Sequence, residues 1–179
     1  MIQRIQTLWL VLAVVCLALC FVFPVAKYQF VDMPTEGQLV EARLDLVSHG
    51  GADMLGKMEE PVIEYGQSLT GMKTWPMTLL VAFSGAIALL SIFLFRNRVA
   101  QMRIVSLGFI VNLVYIVLVF VWAVDKYADL LSAGMGGAKP DVSWSIGAFM
   151  PILSLAFFFL AQRAIKKDEA LVRAADRLR

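Results

Sequence analysis

Two long apolar runs separated by a short basic break decide the fold of this chain. The first, TLLVAFSGAIALLSIFLF, covers residues 78–95, and the second, IVSLGFIVNLVYIVLVFVWAV, covers residues 104–124. Neither contains a charged side chain, and each has about the 20 residues that an α-helix needs to cross ~30 Å of hydrocarbon. The break, RNRVAQMR at residues 96–103, carries three arginines and no acid. The pattern predicts two antiparallel membrane helices joined by a cytoplasmic loop, because short basic loops stay on that side.

The composition of the whole chain agrees with a membrane protein. Of its 179 residues, 60% are hydrophobic and 17% are charged, and the mean hydropathy is +0.75. These values exclude an ordinary soluble domain. We predict an all-α membrane protein, a four-transmembrane-helix bundle that forms a single integral membrane domain over residues 1–179. The predicted segments are helices at about 7–25, 75–95, 104–124 and 144–162, an outer loop at 26–74, and a cytoplasmic basic helical tail at 163–179.

The charges are divided unequally between the two sides that these four spans define. The two termini and the 96–103 loop hold ten basic and three acidic residues, a net charge of +7, whereas the other side holds six basic and eleven acidic residues, a net charge of −5. This distribution places both termini in the cytoplasm. The partner of the basic surface is expected to be the anionic inner leaflet of a lipid bilayer rather than a nucleic acid. The candidate lipid headgroup contacts are Arg96, Arg98, Arg103, Lys166 and Lys167.

The first apolar run has two alternative interpretations, a cleavable signal peptide and a lipoprotein signal ending at Cys20. We favour an uncleaved helix, because the run is long for a signal peptide and the bulky Leu19 precedes Cys20 where a small residue is expected. Cys16 and Cys20 are four residues apart and so share one helix face. Without other ligands nearby, they are expected to be buried thiols and not a disulfide or a metal site.

The segment between the first two helices has the alternating pattern that is typical of β-strands. Residues 27–32 and 39–47 alternate between apolar and polar side chains, and residues 61–65 form a third candidate. We expect a small extracytoplasmic antiparallel β element of at most three strands between helices 1 and 2. The later connection, residues 125–143, is predicted to be a flexible outer loop because it is rich in glycine.

His49 is the one histidine, and Asp45 and Asp53 lie four residues to either side of it. A metal site is one interpretation of this spacing. The other, which we favour, is a solvated histidine, because His49 precedes two glycines in a predicted turn. We therefore predict no metal ligands and no cofactor.

The predicted spans contain few polar features. Asn112 is expected to form an interhelical hydrogen bond, because an unpaired amide in hydrocarbon is costly, and Tyr115 can share its helix face. Pro151 is expected to kink the fourth helix. A row of small residues in the second helix predicts close packing against a neighbouring helix. Aromatic residues at the outer helix ends indicate an interfacial belt. They are Trp75, Trp122, Trp144 and Tyr127.

The last 17 residues continue the helical pattern with strong helix formers and mixed charges. Leu171, Ala175 and Leu178 form an apolar stripe, which makes them the candidate partner-binding residues. Three arrangements of this tail are open: it lies on the inner leaflet, docks on the inner end of the bundle, or binds a partner.

The two ends of the chain, MIQRIQT at residues 1–7 and RAIKKDEALVRAADRLR at residues 163–179, resemble the domain of unknown function 4293 family of Bacteroidota. The resemblance covers the whole chain and implies a multi-pass protein of the bacterial inner membrane. Because that family has no established activity, it implies no catalytic residue and directs attention to the cytoplasmic tail. The layout is also similar to the claudin-like plan, which is a likeness of architecture alone.

Three functions compete at this stage. The leading hypothesis is a non-enzymatic scaffold or accessory subunit of a membrane complex, acting on a protein partner or by self-association through its tail, its outer loop or both. The alternative is a small transporter or channel subunit, which the lack of ionisable residues in the spans disfavours. A membrane-embedded enzyme is disfavoured further, because no catalytic motif is present. We therefore predict no enzymatic activity and no catalytic residue.

Overall fold

Within the residues that it describes, the computed structural model contains five α-helices, one π-helical turn and four β-strands. It describes residues 3–30, 40–44, 46, 54–56, 75–94, 97–134 and 139–177. The predicted strand at 61–65 and the candidate metal residues Asp45, His49 and Asp53 lie outside these ranges. The elements are α1 Gln3–Leu19, β1 Ala26–Phe30, β2 Val40–Leu44, β3 Met54–Gly56, α2 Trp75–Phe93, α3 Arg98–Leu118, the π turn Val119–Ala123, α4 Val124–Gly134, β4 Asp141–Trp144 and α5 Ile146–Arg177.

Among the described residues, three helical segments are long and apolar enough to cross a membrane. They are Trp75–Phe93 with 19 residues, Arg98–Ala133 with 36 and Ile146–Ala174 with 29. A shorter apolar helix covers Ile5–Leu19. Large apolar side chains on these helices are exposed, which is the arrangement expected of helices whose outer faces meet lipid. Examples are Leu8, Phe83, Phe93, Ile110 and Val117.

The helical segment made of α3, the π turn and α4 begins earlier and ends later than the predicted third helix at 104–124. Its first residue is Arg98, because Asn97 caps the helix: the Asn97 side-chain oxygen accepts a hydrogen bond from the backbone N–H of Ala100 at 3.2 Å. At the other end, the π turn leads into α4, which continues to Gly134. The prediction of a flexible loop across residues 125–143 was therefore wrong over α4.

The amphipathic pattern of α4 explains why this region is helical. Val124, Tyr127 and Leu131 are buried and lie on one face, whereas Asp125 and Asp129 are exposed. The first helix, in contrast, ends at Leu19 and not near residue 25. The chain turns there ahead of Pro24, and β1 begins at Ala26.

The sheet has four antiparallel strands in the order β3-β2-β1-β4. In the centre, Tyr28 of β1 lies opposite Ala42 of β2 and Val142 of β4. The predicted small antiparallel element between helices 1 and 2 is confirmed by β1, β2 and β3. The prediction missed β4, which comes from the connection between α4 and α5 and pairs with β1. Trp144, the predicted start of the fourth helix, is instead the last residue of β4, opposite Ala26.

The chain divides into two compact units. Unit 1 comprises Met1–Leu19, Leu80–Tyr115 and Met150–Arg179, and unit 2 comprises Cys20–Leu79 and Ile116–Phe149. Unit 1 has a helical core in which Leu10, Val105 and Phe158 are fully buried. Unit 2 holds the sheet, whose buried Tyr28 packs against α4.

Candidate functional site

One face of α3 is the main polar feature inside unit 1. The residues of α3 that are buried recur every three or four positions, which places them on a single face. We call this set the inner face of α3: Gln101, Val105, Gly108, Asn112 and Tyr115. Two of the five are amides, and amides in a helix this apolar require hydrogen-bond partners on neighbouring helices.

Asn112 joins α3 to α5. Its Nδ2 donates to the backbone oxygen of Pro151 at 3.0 Å and to Oγ of Ser154 at 2.7 Å. The Ser154 hydroxyl in turn donates to the same Pro151 oxygen at 2.8 Å. The predicted interhelical hydrogen bond of Asn112 is therefore confirmed. It is made at the proline inside α5.

Gln101 joins α3 to α2, and sequence reasoning missed it. Its side chain is 1% exposed, and its Nε2 donates to the backbone oxygen of Ser91 at 3.0 Å. The residue was assigned to the 96–103 loop because the apolar run stops at the arginines. The spacing could have revealed it, because Gln101 lies 11 residues, about three helical turns, before Asn112. In a helix that includes both amides, this spacing places them on the same face.

A close approach of three helices separates the two amides. A Cβ atom on Gly108 would lie 2.9 Å from Cγ2 of Ile87 and 3.0 Å from Cε1 of Phe158. The hydroxyl of Ser84 also donates to the Gly108 backbone oxygen, at 3.4 Å. Packing of α2, α3 and α5 at this level thus leaves no room for a side chain on α3.

Only part of the small-residue row of α2 takes part in this packing. Ser84, Ala88 and Ser91 are buried, whereas Ala82 and Ala86 are exposed. The small residues of α2 therefore fall on two faces, and one of these faces packs against the rest of unit 1.

At the start of α3, an ion pair links the helix to the base of the tail. Nη1 of Arg98 lies 3.2 Å from Oδ2 of Asp168 and donates to the Asp168 backbone oxygen at 3.4 Å. Asp168 is buried, as is Ile165 one turn before it. Of the candidate headgroup contacts, Arg98 is thus engaged within the protein. Arg103, Lys166 and Lys167 are exposed, and Arg96 lies outside the described residues.

From Ala170 to Ala174 every residue of the tail helix is exposed. Leu171 is 48% exposed and Val172 is 41% exposed. Arg173 pairs with Glu169 on the same helix. Val172 lies seven residues, about two helical turns, after the buried Ile165. The two side chains are therefore on the same face of α5, which is buried at Ile165 and exposed at Val172.

The other two candidate partner-binding residues are only partly defined. Ala175 belongs to α5, which ends at Arg177, and Leu178 lies outside the described residues.

In unit 2, Tyr28 ties the sheet to the end of the π turn. Its hydroxyl donates to the backbone oxygen of Val124 at 3.1 Å, and its ring centroid lies 4.9 Å from that of Tyr127. Burial, followed by the charges of Tyr127 and Asp125, raises the pKa of Tyr28 above its ordinary value. The hydroxyl therefore keeps its proton at neutral pH and remains a donor.

The same contacts change the interpretation of the aromatic belt. Tyr127 is buried against Tyr28 and so does not belong to the belt. Trp75, Trp122 and Trp144 are exposed, as residues at an interface are expected to be. Trp144 also stacks on Phe120, with ring centroids 4.7 Å apart.

Titratable residues do not converge on a metal centre in the part of the chain that the structure describes. That part contains no group of three or more His, Cys, Asp or Glu side chains able to hold an ion. Cys16 and Cys20 are buried thiols. The polar groups that converge among the described residues are amides, serines and one ion pair, which form hydrogen bonds between helices.

The helical segments, their exposed apolar faces and the buried interhelical hydrogen bonds define a helical membrane protein with a small antiparallel sheet. The chain belongs to the family described as Domain of unknown function (DUF4293), whose family model matches residues 2–178. Comparison with the curated proteins gives no match.

Proposed function

We propose that this protein is a non-enzymatic accessory subunit of a membrane complex and that a partner protein binds its cytoplasmic tail helix. In this proposal it crosses the bacterial inner membrane four times and keeps both termini in the cytoplasm. Three long apolar helices and the shorter helix Ile5–Leu19 support the four crossings. The basic residues near Arg98 and along the tail support the orientation.

The continuity of α5 is the observation that carries the proposal. The helix has 32 residues, so it is ~48 Å long at ~1.5 Å per residue, against a hydrocarbon thickness of ~30 Å. A tail lying flat on the leaflet needs a break in the helix where it leaves the membrane. Instead α5 continues through Lys166 and Lys167 to Arg177. We therefore infer that the tail projects away from the bilayer.

The projecting segment presents apolar side chains that nothing else in the described chain covers. Leu171 and Val172 are each more than two-fifths exposed, and burying a Leu or Val side chain fully stabilises a complex by about 1.5–3 kcal/mol. An amphipathic helix of this kind is commonly held in an apolar groove of another protein. Since residues 163–179 hold six basic and three acidic residues, a groove bordered by carboxylates fits best.

Self-association through the tail is a weaker alternative. The stripe of Leu171, Ala175 and Leu178 spans about one heptad, whereas a coiled coil sustained by its own core needs about three or four. The ion pair between Arg98 and Asp168 also occupies the position one turn before Leu171. The apolar stripe cannot extend toward the membrane past this ion pair, and it is therefore too short to hold two copies of the chain together.

A small transporter remains the second candidate, because α3 buries two amides, Gln101 and Asn112. The close packing of Gly108 against Ile87 and Phe158 weighs against a transporter. This apolar packing lies between the two amides and so interrupts a polar path along α3. Bundle helices of transporters usually also contain ionisable residues in the membrane.

Site-specific photocrosslinking in native membranes tests the proposal. The photoreactive residue p-benzoylphenylalanine is placed at position 171 or 172, and at position 170 as a matched control, since Ala170 is exposed but faces away from Val172. We expect a defined protein adduct at positions 171 and 172, at least about tenfold stronger than at position 170, as the loss of about 1.4 kcal/mol of contact energy implies. Leu171→Glu should abolish the adduct at position 172, whereas Ala170→Glu should not.

Three results would contradict the proposal. Equal adducts at all three positions would show that the tail has no specific partner. Adducts with lipid alone would favour anchoring to the leaflet. An adduct of twice the mass of the chain would establish self-association in place of a separate partner.

A further inference from the structure

Two buried side-chain oxygens on the inner face of α3 accept no hydrogen bond from any described residue. They are Oε1 of Gln101 and Oδ1 of Asn112, and their side chains are 1% and 0% exposed. A buried acceptor without a donor is costly, and native proteins usually satisfy it with an ordered water. We infer that unit 1 binds internal water at two separate sites, one at each amide.

Each of the two amides has a serine as a hydrogen-bond partner. At Asn112, the nearby Ser154 hydroxyl already donates to Pro151 and accepts from Nδ2, which leaves it one lone pair to accept another bond. At Gln101, whose Nε2 bonds the Ser91 backbone oxygen, the Ser91 hydroxyl donates to the Ala88 oxygen at 2.7 Å. Each amide is therefore bonded to a serine whose hydroxyl oxygen can still accept: Asn112 bonds that oxygen of Ser154 directly, and Gln101 bonds the backbone oxygen of Ser91.

Paired acceptors of this kind select the ligand. The ligand must donate two hydrogen bonds, which excludes anions. Neither pair carries a charge, so a cation would lose its hydration in hydrocarbon without an opposite charge to compensate. Water donates two hydrogen bonds, is neutral and is small enough for a closely packed interior. Water is thus the ligand that both amide–serine pairs fit.

The packing around Gly108 keeps the two sites apart. Gly108 lies between Gln101 and Asn112 on the same face, and its neighbours Ile87 and Phe158 lie within 3.2 Å of the position that a Cβ would occupy. Val105, which is also between the amides, is fully buried. An apolar layer therefore separates the sites, and water does not form a continuous column along α3.

Water-edited solid-state NMR of the full chain in liposomes measures this directly. Magnetisation is transferred from water protons to ¹⁵N-labelled groups, with the side-chain signals assigned by Gln101→Leu and Asn112→Leu. The exposed Asn97 side chain serves as the hydrated reference, and the backbone amides of Val105 and Gly108 serve as dry references. We expect the ¹⁵N signals of the two buried side-chain amides to gain intensity from water at least about threefold faster than the signals of the dry references. The reason is that a bound water lies within hydrogen-bonding distance of each amide.

Removal of each serine oxygen tests whether the sites are separate. Ser154→Ala should slow the build-up at Asn112 alone, and Ser91→Ala should slow it at Gln101 alone. The inference is overturned if the buried amides build up as slowly as Val105, or if either serine variant slows both sites equally. It is also overturned if Val105 and Gly108 build up as fast as Asn97, since that result would mean a continuous column of water.

Discussion

Gly147→Ala is expected to destabilise the protein by about 3 kcal/mol, at the upper end of what overpacking costs in a closely packed interior. A Cβ on Gly147 would lie 2.5 Å from the backbone oxygen of Phe23 and closer still to that of Pro24. Both obstacles are backbone atoms, so no change of side-chain rotamer relieves the clash. The same approach brings the Gly147 N–H to the Pro24 oxygen at 3.1 Å, and a shift of the chain would lose this bond.

The matched control is Gly85→Ala, because a Cβ on Gly85 meets nothing within 4 Å. Alanine is also the better helix former, so this variant should be neutral or slightly stabilised, by up to about 1 kcal/mol. Thermal unfolding in detergent, with abundance in the membrane fraction, compares the two. Equal stability of both variants would mean that α5 does not begin against the 23–25 segment.

Gly108→Val is the second substitution with a large expected effect, a loss of about 2–3 kcal/mol. Its Cβ alone would lie 2.9 Å from Cγ2 of Ile87 and 3.0 Å from Cε1 of Phe158. These obstacles are side-chain atoms, so unlike the backbone at Gly147 they can be removed by a second substitution. Gly108→Val should therefore cost less stability in an Ile87→Ala background than it does in the wild-type protein.

A double-mutant cycle measures this compensation. Ile87→Ala alone should cost about 2–5 kcal/mol, because it leaves a cavity in the core. The double variant should be more stable than the sum of the single effects predicts, with an interaction energy of at least about 1 kcal/mol. Additive effects would contradict the contact of α2 with α3 at Gly108.

The sequence predicted the apolar helices well and their ends less well. The 78–95 and 104–124 runs carry a strong signal, because about 20 uncharged residues have few alternatives. The start of α3 was missed because Arg98, Gln101 and Arg103 interrupt the apolar run, although long polar side chains at a helix end are tolerated. Hydropathy therefore predicts which part of a helix lies in the hydrocarbon layer, whereas capping residues such as Asn97 indicate where the helix begins.

Non-local contacts account for the rest of what sequence reasoning missed. β4 has only four residues, and it is a strand because β1 lies beside it, a pairing that no local pattern reveals. Tyr127 was assigned to the interface by its type, yet the position of Tyr28 buries it. Asn112 was recognised because a single amide in an apolar run is conspicuous. Its partners at Pro151 and Ser154, in contrast, depend on how the helices pack.

The candidate tail stripe illustrates the same limit. Leu171 was identified from its spacing, and the structure leaves it exposed. The role of Asp168 in holding the base of the tail through Arg98 depends on a contact across 70 residues of sequence. Periodicity predicted which face of the tail is apolar, and the packing shows that exposure begins at Ala170.

Cysteine accessibility in intact cells tests the central claim, a four-span membrane protein with a cytoplasmic tail. In a background lacking Cys16 and Cys20, single cysteines are introduced as Ser48→Cys, Ala138→Cys, Val99→Cys and Ala174→Cys. Val99 reports on the side of the membrane where α3 begins, because it is exposed, whereas Gln101 is buried.

We predict that an impermeant thiol reagent labels Ser48→Cys and Ala138→Cys from outside. Val99→Cys and Ala174→Cys should react only after the membrane is permeabilised, since basic loops and tails remain inside. Labelling of Ala174→Cys in intact cells would contradict the account, because the tail would then lie on the wrong side to meet a cytoplasmic partner.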